Sequence, residues 1–296
     1  MSQTVLYLLG QKGYQVLNAA VVGGYKDLVN LVVVGRDRNV QTDSADEIIS
    51  LCKRYGLKYC ERNDSLSVPS EPSSLIAIAA GWRWLIKEAF HQVIVFHDSL
   101  LPRYRGFNPL VSALLNRDTE TGVTAIVANK DFDCGDIIEK KSIALNYPLK
   151  ISDAIDTISK LYYELAQSIF SELPHCNVFG VETQDESKAS YSVWRDEEDY
   201  RIDWTSSAES IAHYVVCFSF PYQGASAVYE NRLIRILDAS TVLDVEIVNR
   251  DIGKVIFVTD NKPIVICGVG LLRIDAAVDD EGKSVLPFRS FRTRLK

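Results

Sequence analysis

The segment that most restricts the fold is Leu28–Val34, LVNLVVV. A strand this continuously apolar has no face to offer water, and such strands belong to parallel sheets covered on both sides. Neighbouring segments fit the same architecture. Thr4–Leu9 reads as a buried strand and Gly10–Gly13 as the turn into a helix. Ser44 and Glu47 have capping-box spacing, opening a helix through Ile48, Leu51 and Cys52. Leu75–Ala80 and Val93–Phe96 are further buried strands, and Gly122–Ala128 and Ile137–Ile143 supply more. Asn108–Pro109 reads as an N-cap followed by proline at the first helical position. Ser152–Leu173, apolar at Ile155, Ile158, Leu161, Leu165 and Ile169, is the longest expected helix. The alternation predicts an α/β fold with a doubly wound, mostly parallel, Rossmann-like sheet.

A chain of 296 residues suits two domains. Residues from about 174 to 190 are mixed and polar and read as a connection. Beyond them come Tyr191–Trp204, a helix capped by Ser206 and Glu209, and then short alternating runs. Ser226–Tyr229, Arg232–Leu237, Lys254–Val258 and Ile264–Cys267 suggest a small, β-rich, mostly antiparallel unit. The expected domains are therefore 1–185 and 186–296. With 47% hydrophobic and 24% charged residues the balance is that of a soluble globular protein. No apolar run is long enough for a membrane helix, and the N-terminus reads as a strand rather than a signal peptide. Six scattered cysteines (Cys52, Cys60, Cys134, Cys176, Cys217, Cys267) form no CxxC pair, and four dispersed histidines offer no metal-ligand spacing. The expectation is free thiols in a reducing cytoplasm and no metal. A net charge of −7 argues against a broad nucleic-acid surface, though not against a local anion pocket.

The chemistry concentrates in two segments. In VIVFHDSLLPRYRG (93–106) a buried strand ends on His97, and ligands of open α/β sheets bind beyond such carboxyl ends. In TGVTAIVANKDFDCGDII (121–138) a strand runs into a loop carrying Asp131, Asp133 and Asp136 around Gly135. A loop following a neighbouring strand can bring one aspartate to the imidazole. Alone, each element is as readily structural, since aspartates beside glycine form turns.

Together they resemble the folate-dependent formyltransferase family. Its pattern is Asn-x-His-x-Ser-Leu-Leu-Pro, then Arg-Gly, then Asp-x-Gly-x-Ile. This chain has His97, Ser99, Leu100, Leu101, Pro102, Arg105 and Gly106, followed by Asp133, Gly135 and Ile137. Tyr200–Trp204 (YRIDW) and Phe220–Ala225 (FPYQGA) resemble the carboxyl-terminal domain of methionyl-tRNA and nucleotide-sugar formyltransferases. The resemblance implies transfer of a formyl group from 10-formyltetrahydrofolate to an amine. It makes His97 and Asp133 catalytic: a charged His97 to stabilise the oxyanion, Asp133 to relay the amine's proton. It places the donor against Trp82, Arg83, Trp84, Leu85 and Ile86, with Val95 and Asp131 close by. Core packing is the alternative for Trp82 and Trp84.

One position departs from the pattern. The family asparagine two residues before the histidine is Val95 here, on the same strand face as His97. Valine donates no hydrogen bond, and losing one oxyanion donor costs roughly 10²–10³ in rate. Asn108 is a candidate replacement, with helix capping as its plainer role. An impaired enzyme that binds folate or nucleotide stays open beside an active one.

Among acceptors, the stretch Gly35–Ser44 (GRDRNVQTDS) has two arginines and two aspartates and lacks the basic insertion of the tRNA-modifying relatives. The added carboxyl-terminal domain disfavours glycinamide ribonucleotide. A nucleotide-linked amino sugar is the expected partner, with Tyr222 stacking on the base and Gly10, Lys12, Arg105 and Asn108 near the rest of the acceptor. Methionyl-tRNA is the alternative, and a homodimer is compatible with a β-rich second domain.

Overall fold

The computed structural model describes residues 3–38, 40–62, 64, 72–175 and 179–296. The first half supplies β1 (Thr4–Leu8), α1 (Gly10–Val22), β2 (Val29–Val34), α2 (Ala45–Tyr55), β3 (Tyr59–Glu61), β4 (Ile76–Ala80) and β5 (Gln92–His97). Then come β6 (Arg105–Gly106), α3 (Pro109–Leu115), β7 (Glu120–Val127), β8 (Ile137–Ala144) and α4 (Ile151–Glu172). Seven strands form one sheet in the order β3-β2-β1-β4-β5-β7-β8. The first five are parallel; β7 runs antiparallel to both β5 and β8. The expected mostly parallel α/β sheet is what the chain forms.

One face of the sheet (Leu6, Leu8, Val32, Ile78, Phe96) packs against buried residues of α1, α2, α3 and α4. Each fully buried Leu, Ile or Phe there contributes about 1.5–3 kcal/mol. The opposite face (Val5, Tyr7, Val33, Ala77, Ala79) is covered by Trp82, Ile86 and Phe90, from a stretch that forms no helix. Gly35 makes that cover possible: a Cβ there would sit 2.7 Å from the Trp84 ring and 3.0 Å from that of Trp82.

The second half contributes β9 (Tyr191–Ser192), α5 (Ala208–Phe218), β10 (Ala225–Tyr229), β11 (Arg232–Val242), β12 (Val255–Thr259), β13 (Lys262–Ile266) and β14 (Leu271–Val278). The last five form an antiparallel sheet, β10-β11-β14-β13-β12. Helix α5 joins the two cores. Its Ile211 and Val215 pack with Trp204 and Ile234, whereas Cys217 and Phe218 enter the core of the first sheet.

Several local expectations are corrected. Gly10–Gly13 is the first turn of α1 itself, with Gly13 N–H donating to the Leu9 carbonyl at 3.2 Å. Ser44 precedes α2 without capping it. Its hydroxyl donates to Gln11 at 3.3 Å, and the Asp43 carboxylate accepts the Ala45 N–H at 3.1 Å instead. Asn108 stands at the N-cap of α3 but makes no side-chain cap, because its backbone is left-handed with φ 51°. Ser207, not Ser206, caps α5, accepting the Ser210 N–H at 3.1 Å. Cys176 lies outside the described residues; the other five cysteines are free thiols.

Candidate active site

Strand β5 delivers His97 to the carboxyl end of the sheet, where its side chain is only 7% exposed. The loop that follows is folded by short polar bonds. Ser99 Oγ donates to the Arg103 carbonyl at 2.6 Å, and Thr124 Oγ1 on β7 donates to the Ser99 carbonyl at 2.6 Å. This turns the chain so that Tyr104 presents its carbonyl to His97 Nε2 at 2.8 Å. On the other side of the ring, His97 Nδ1 is 3.5 Å from Asp133 Oδ1. Both ring nitrogens therefore face acceptors.

Asp133 comes from the β7–β8 connection. Its Oδ2 accepts the Gly106 N–H at 2.9 Å, so one carboxylate spans the histidine and the backbone of β6. Its own backbone is left-handed, φ 56°, a conformation costly for a residue with a Cβ. Two residues on, Gly135 passes so close to β7 that a Cβ would lie 1.8 Å from the Val127 carbonyl oxygen. Only glycine permits that approach. The sequence order His97…Asp133 thus becomes a physical pair.

The other expected residues divide. Lys12, in the first turn of α1, is paired with Asp98, the residue after His97. Asp98 also accepts from the Tyr162 hydroxyl on α4, and burial with Asp98 beside it pushes that phenol well up. Arg105, expected near an acceptor phosphate, is instead 1% exposed and fully engaged. Its guanidinium donates to Gln184 Oε1 at 2.8 and 3.0 Å and to both Glu186 carboxylate oxygens at 2.7 and 2.8 Å. The arginine carries a charge-assisted network that ties Gln184 to Glu186.

Trp82 and Trp84 meet edge to face at 4.9 Å between centroids, and Trp82 also packs on Tyr7 at 5.2 Å. Trp82 packs against the second face of the sheet, and its indole N–H is buried without a hydrogen-bond partner. Arg83 pairs with Asp37, and burial lowers its pKa. Leu85 is exposed, Ile86 half-buried, and Asp131 exposed on the loop before Asp133. Val95 packs against Leu101, Ile126 and Ile137. Tyr222 is held through its carbonyl, which accepts from Gln41 Nε2 at 2.6 Å; its half-buried ring packs beside the first core. Gly10 begins α1 with φ 64°. Among the described residues no group of three or more His, Cys, Asp or Glu could hold a metal ion, and no helix is long and apolar enough to cross a membrane.

Sequence reasoning missed Asp98, Tyr162 and Gln184. Asp98 was visible beside His97, but nothing in the spacing linked it to Lys12 or Tyr162. Gln184, 5% exposed, donates its amide protons to the carbonyls of Asp133 at 2.8 Å and Gly135 at 2.7 Å.

The family model for formyl transferases matches residues 74–172, and that for the formyl transferase C-terminal domain matches 195–295. The chain belongs to the formyltransferase family. Both His97 and Asp133 fall inside the first match, whereas Gln184 lies between the two. The chain is 29% identical over 223 residues to a methionyl-tRNA formyltransferase of Geobacter metallireducens, covering 74% of this chain and 70% of that one. Its fold is similar to that of the N-formyltransferase from Helicobacter canadensis, solved with folinic acid and dTDP-3-aminofucose. The TM-score is 0.63 at 16% identity, over 93% of this chain and 99% of that one. HypX from Aquifex aeolicus is also similar in fold, with a TM-score of 0.64 at 15% identity over 97% of this chain. The chain spans less than half of HypX, 46% of its length.

Proposed function

We propose that this formyltransferase moves the formyl group of 10-formyltetrahydrofolate onto the primary amine of a nucleotide-linked amino sugar. The observation that carries the chemistry is the His97–Asp133 pair, 3.5 Å apart at the carboxyl end of β5. The amine nitrogen bonds to the formyl carbon, and the bond from that carbon to N10 of the folate breaks. The amine loses one proton and N10 gains one, so the sum is neutral. His97, low in exposure at the carboxyl end of β5, stabilises the developing oxyanion. Asp133, partly open to solvent, accepts the amine's proton, directly or through water. The unpartnered indole N–H of Trp82 suits an acceptor atom on the formyl donor, beside Arg83 and Trp84.

Two features support a compact acceptor over a long polyanion. The net charge is −7. In the loop after β2, Arg36 is held by Asp46 at 2.8 Å and Glu61 at 2.7 Å. Gln41 of the same loop is tied by its N–H to the Pro221 carbonyl and by its side chain to that of Tyr222. The sequence likeness to methionyl-tRNA formyltransferase favours the second reading, methionyl-tRNA as acceptor.

The test is tetrahydrofolate release with 10-formyltetrahydrofolate and a panel of nucleotide-linked amino sugars, methionyl-tRNA and glycinamide ribonucleotide. Turnover with one nucleotide sugar supports the proposal, and turnover with methionyl-tRNA alone replaces its acceptor. Silence across the panel with donor binding intact assigns the chain to impaired enzymes, through Val95.

A further inference from the structure

Two residues of the connection between the two sheets, Gln184 and Ser190, bond to the segments that carry Asp133 and face His97. Gln184 has four hydrogen-bonding positions, and all four are used. Its Oε1 accepts twice from Arg105, and its Nε2 donates to the Asp133 and Gly135 carbonyls. The orientation of the amide follows from its partners, since guanidinium only donates and carbonyls only accept. The two accepting carbonyls belong to the left-handed Asp133 itself and to Gly135, two residues on. Such a backbone state costs about 1–3 kcal/mol and persists only where its surroundings over-determine it. A few residues further on, the same connection holds the other side of the histidine. Ser190 Oγ accepts the Tyr104 N–H at 2.9 Å, the Ser190 carbonyl accepts the Arg105 N–H at 2.8 Å, and β9 pairs with β6. The Tyr104 carbonyl that meets His97 Nε2 is thereby fixed.

We propose that Gln184 is a positioning residue for formyl transfer: by holding the Asp133–Gly135 turn, it sets the carboxylate against His97. The inference rests on the reading of His97 and Asp133 as the reacting pair, but its geometric part is testable without turnover. Gln184→Glu keeps size and shape, and the new carboxylate can still take Arg105. It cannot donate, and it turns an oxygen towards the Asp133 and Gly135 carbonyls. Gln184→Leu removes both sets of bonds.

The experiment measures kcat and KM for each variant together with the imidazole 15N signals of His97, assigned with His97→Gln. Both variants are expected to lower kcat by about 100-fold, the scale of a misplacement near 1 Å, with donor KM unchanged. Both should also move the His97 nitrogen shifts and their pH dependence. A kcat within tenfold of the parent, or a fall in kcat with His97 signals unmoved, overturns the proposal. If Gln184→Leu does not fold, the isosteric Gln184→Glu decides. If the parent transfers no formyl group to any acceptor tried, the function fails while the His97 signals still decide the positioning.

Discussion

Replacing Asp133 by asparagine isolates the charge from the shape of the pair. The side chain keeps its size, and its carbonyl oxygen can still accept the Gly106 N–H now bound at 2.9 Å. What disappears is a negative charge 3.5 Å from His97 Nδ1, between side chains only 7% and 18% exposed. At an effective dielectric near 20, a full charge pair at that separation is worth about 5 kcal/mol. Partial solvent access to Asp133 reduces this to about 3–5 kcal/mol, or roughly 10²–10⁴ in kcat. The same range follows from losing a group that moves a proton in the transition state. The assay is single-turnover tetrahydrofolate release at saturating donor, which separates chemistry from binding. Thermal unfolding runs alongside it, so that a loss of folding is told apart from a loss of chemistry. A kcat within tenfold of the parent, at unchanged Tm, would refute the assignment of Asp133's charge to the reaction.

Other outcomes follow from the same geometry. Val95→Asn places an amide among Leu101, Ile126 and Ile137, so stability should fall by about 1–3 kcal/mol while turnover rises roughly 10²–10³-fold. Unchanged turnover would show that another donor already serves. Arg105→Met leaves Gln184 Oε1 buried without its donors and should cost about 1–3 kcal/mol in chemical denaturation, with acceptor KM unmoved. A raised acceptor KM at unchanged stability would restore a ligand role for Arg105. Burial holds the His213 pKa below the ordinary imidazole value of 6.5, outweighing the Leu114 carbonyl that raises it. The unfolded chain therefore binds a proton that the folded chain excludes, and stability should fall as pH drops below 6.5. His213→Gln should flatten that part of the denaturation profile.

The sheet was legible where burial leaves its mark on residue type. LVNLVVV is apolar because β2 is covered on both faces, and IAIAA and the VIVFH stretch are buried for the same reason. Direction was less legible than existence. Nothing in Gly122–Ala128 states that β7 runs against β5, because an antiparallel strand inside a covered sheet looks like a parallel one. Caps failed where two candidates stood side by side. Asp43 precedes Ser44 and its carboxylate takes the Ala45 N–H; Ser206 and Ser207 both have a plausible partner three residues on, and tertiary packing chose the second.

At the candidate site, the motif located His97 and Asp133 because their spacing is bound to the chemistry they would perform. Arg105 belongs to the same motif, but a conspicuous arginine looks the same in sequence whether it meets a phosphate or a glutamate. Its partners were the missing information, and Gln184 and Glu186 lie some eighty residues away in a segment with no pattern of its own. A glutamine that works through its amide needs no periodicity, no charge and no fixed spacing, only a path of the chain that returns to the right place. Here that path is the connection to the second sheet, whose Ser190 fixes the Tyr104 carbonyl and whose Gln184 fixes the Asp133 turn. The identity of the reacting groups and the geometry that aligns them are thus written in different parts of the chain. A substitution in the connection should accordingly change rate at constant donor affinity, the opposite of what a simple linker would show.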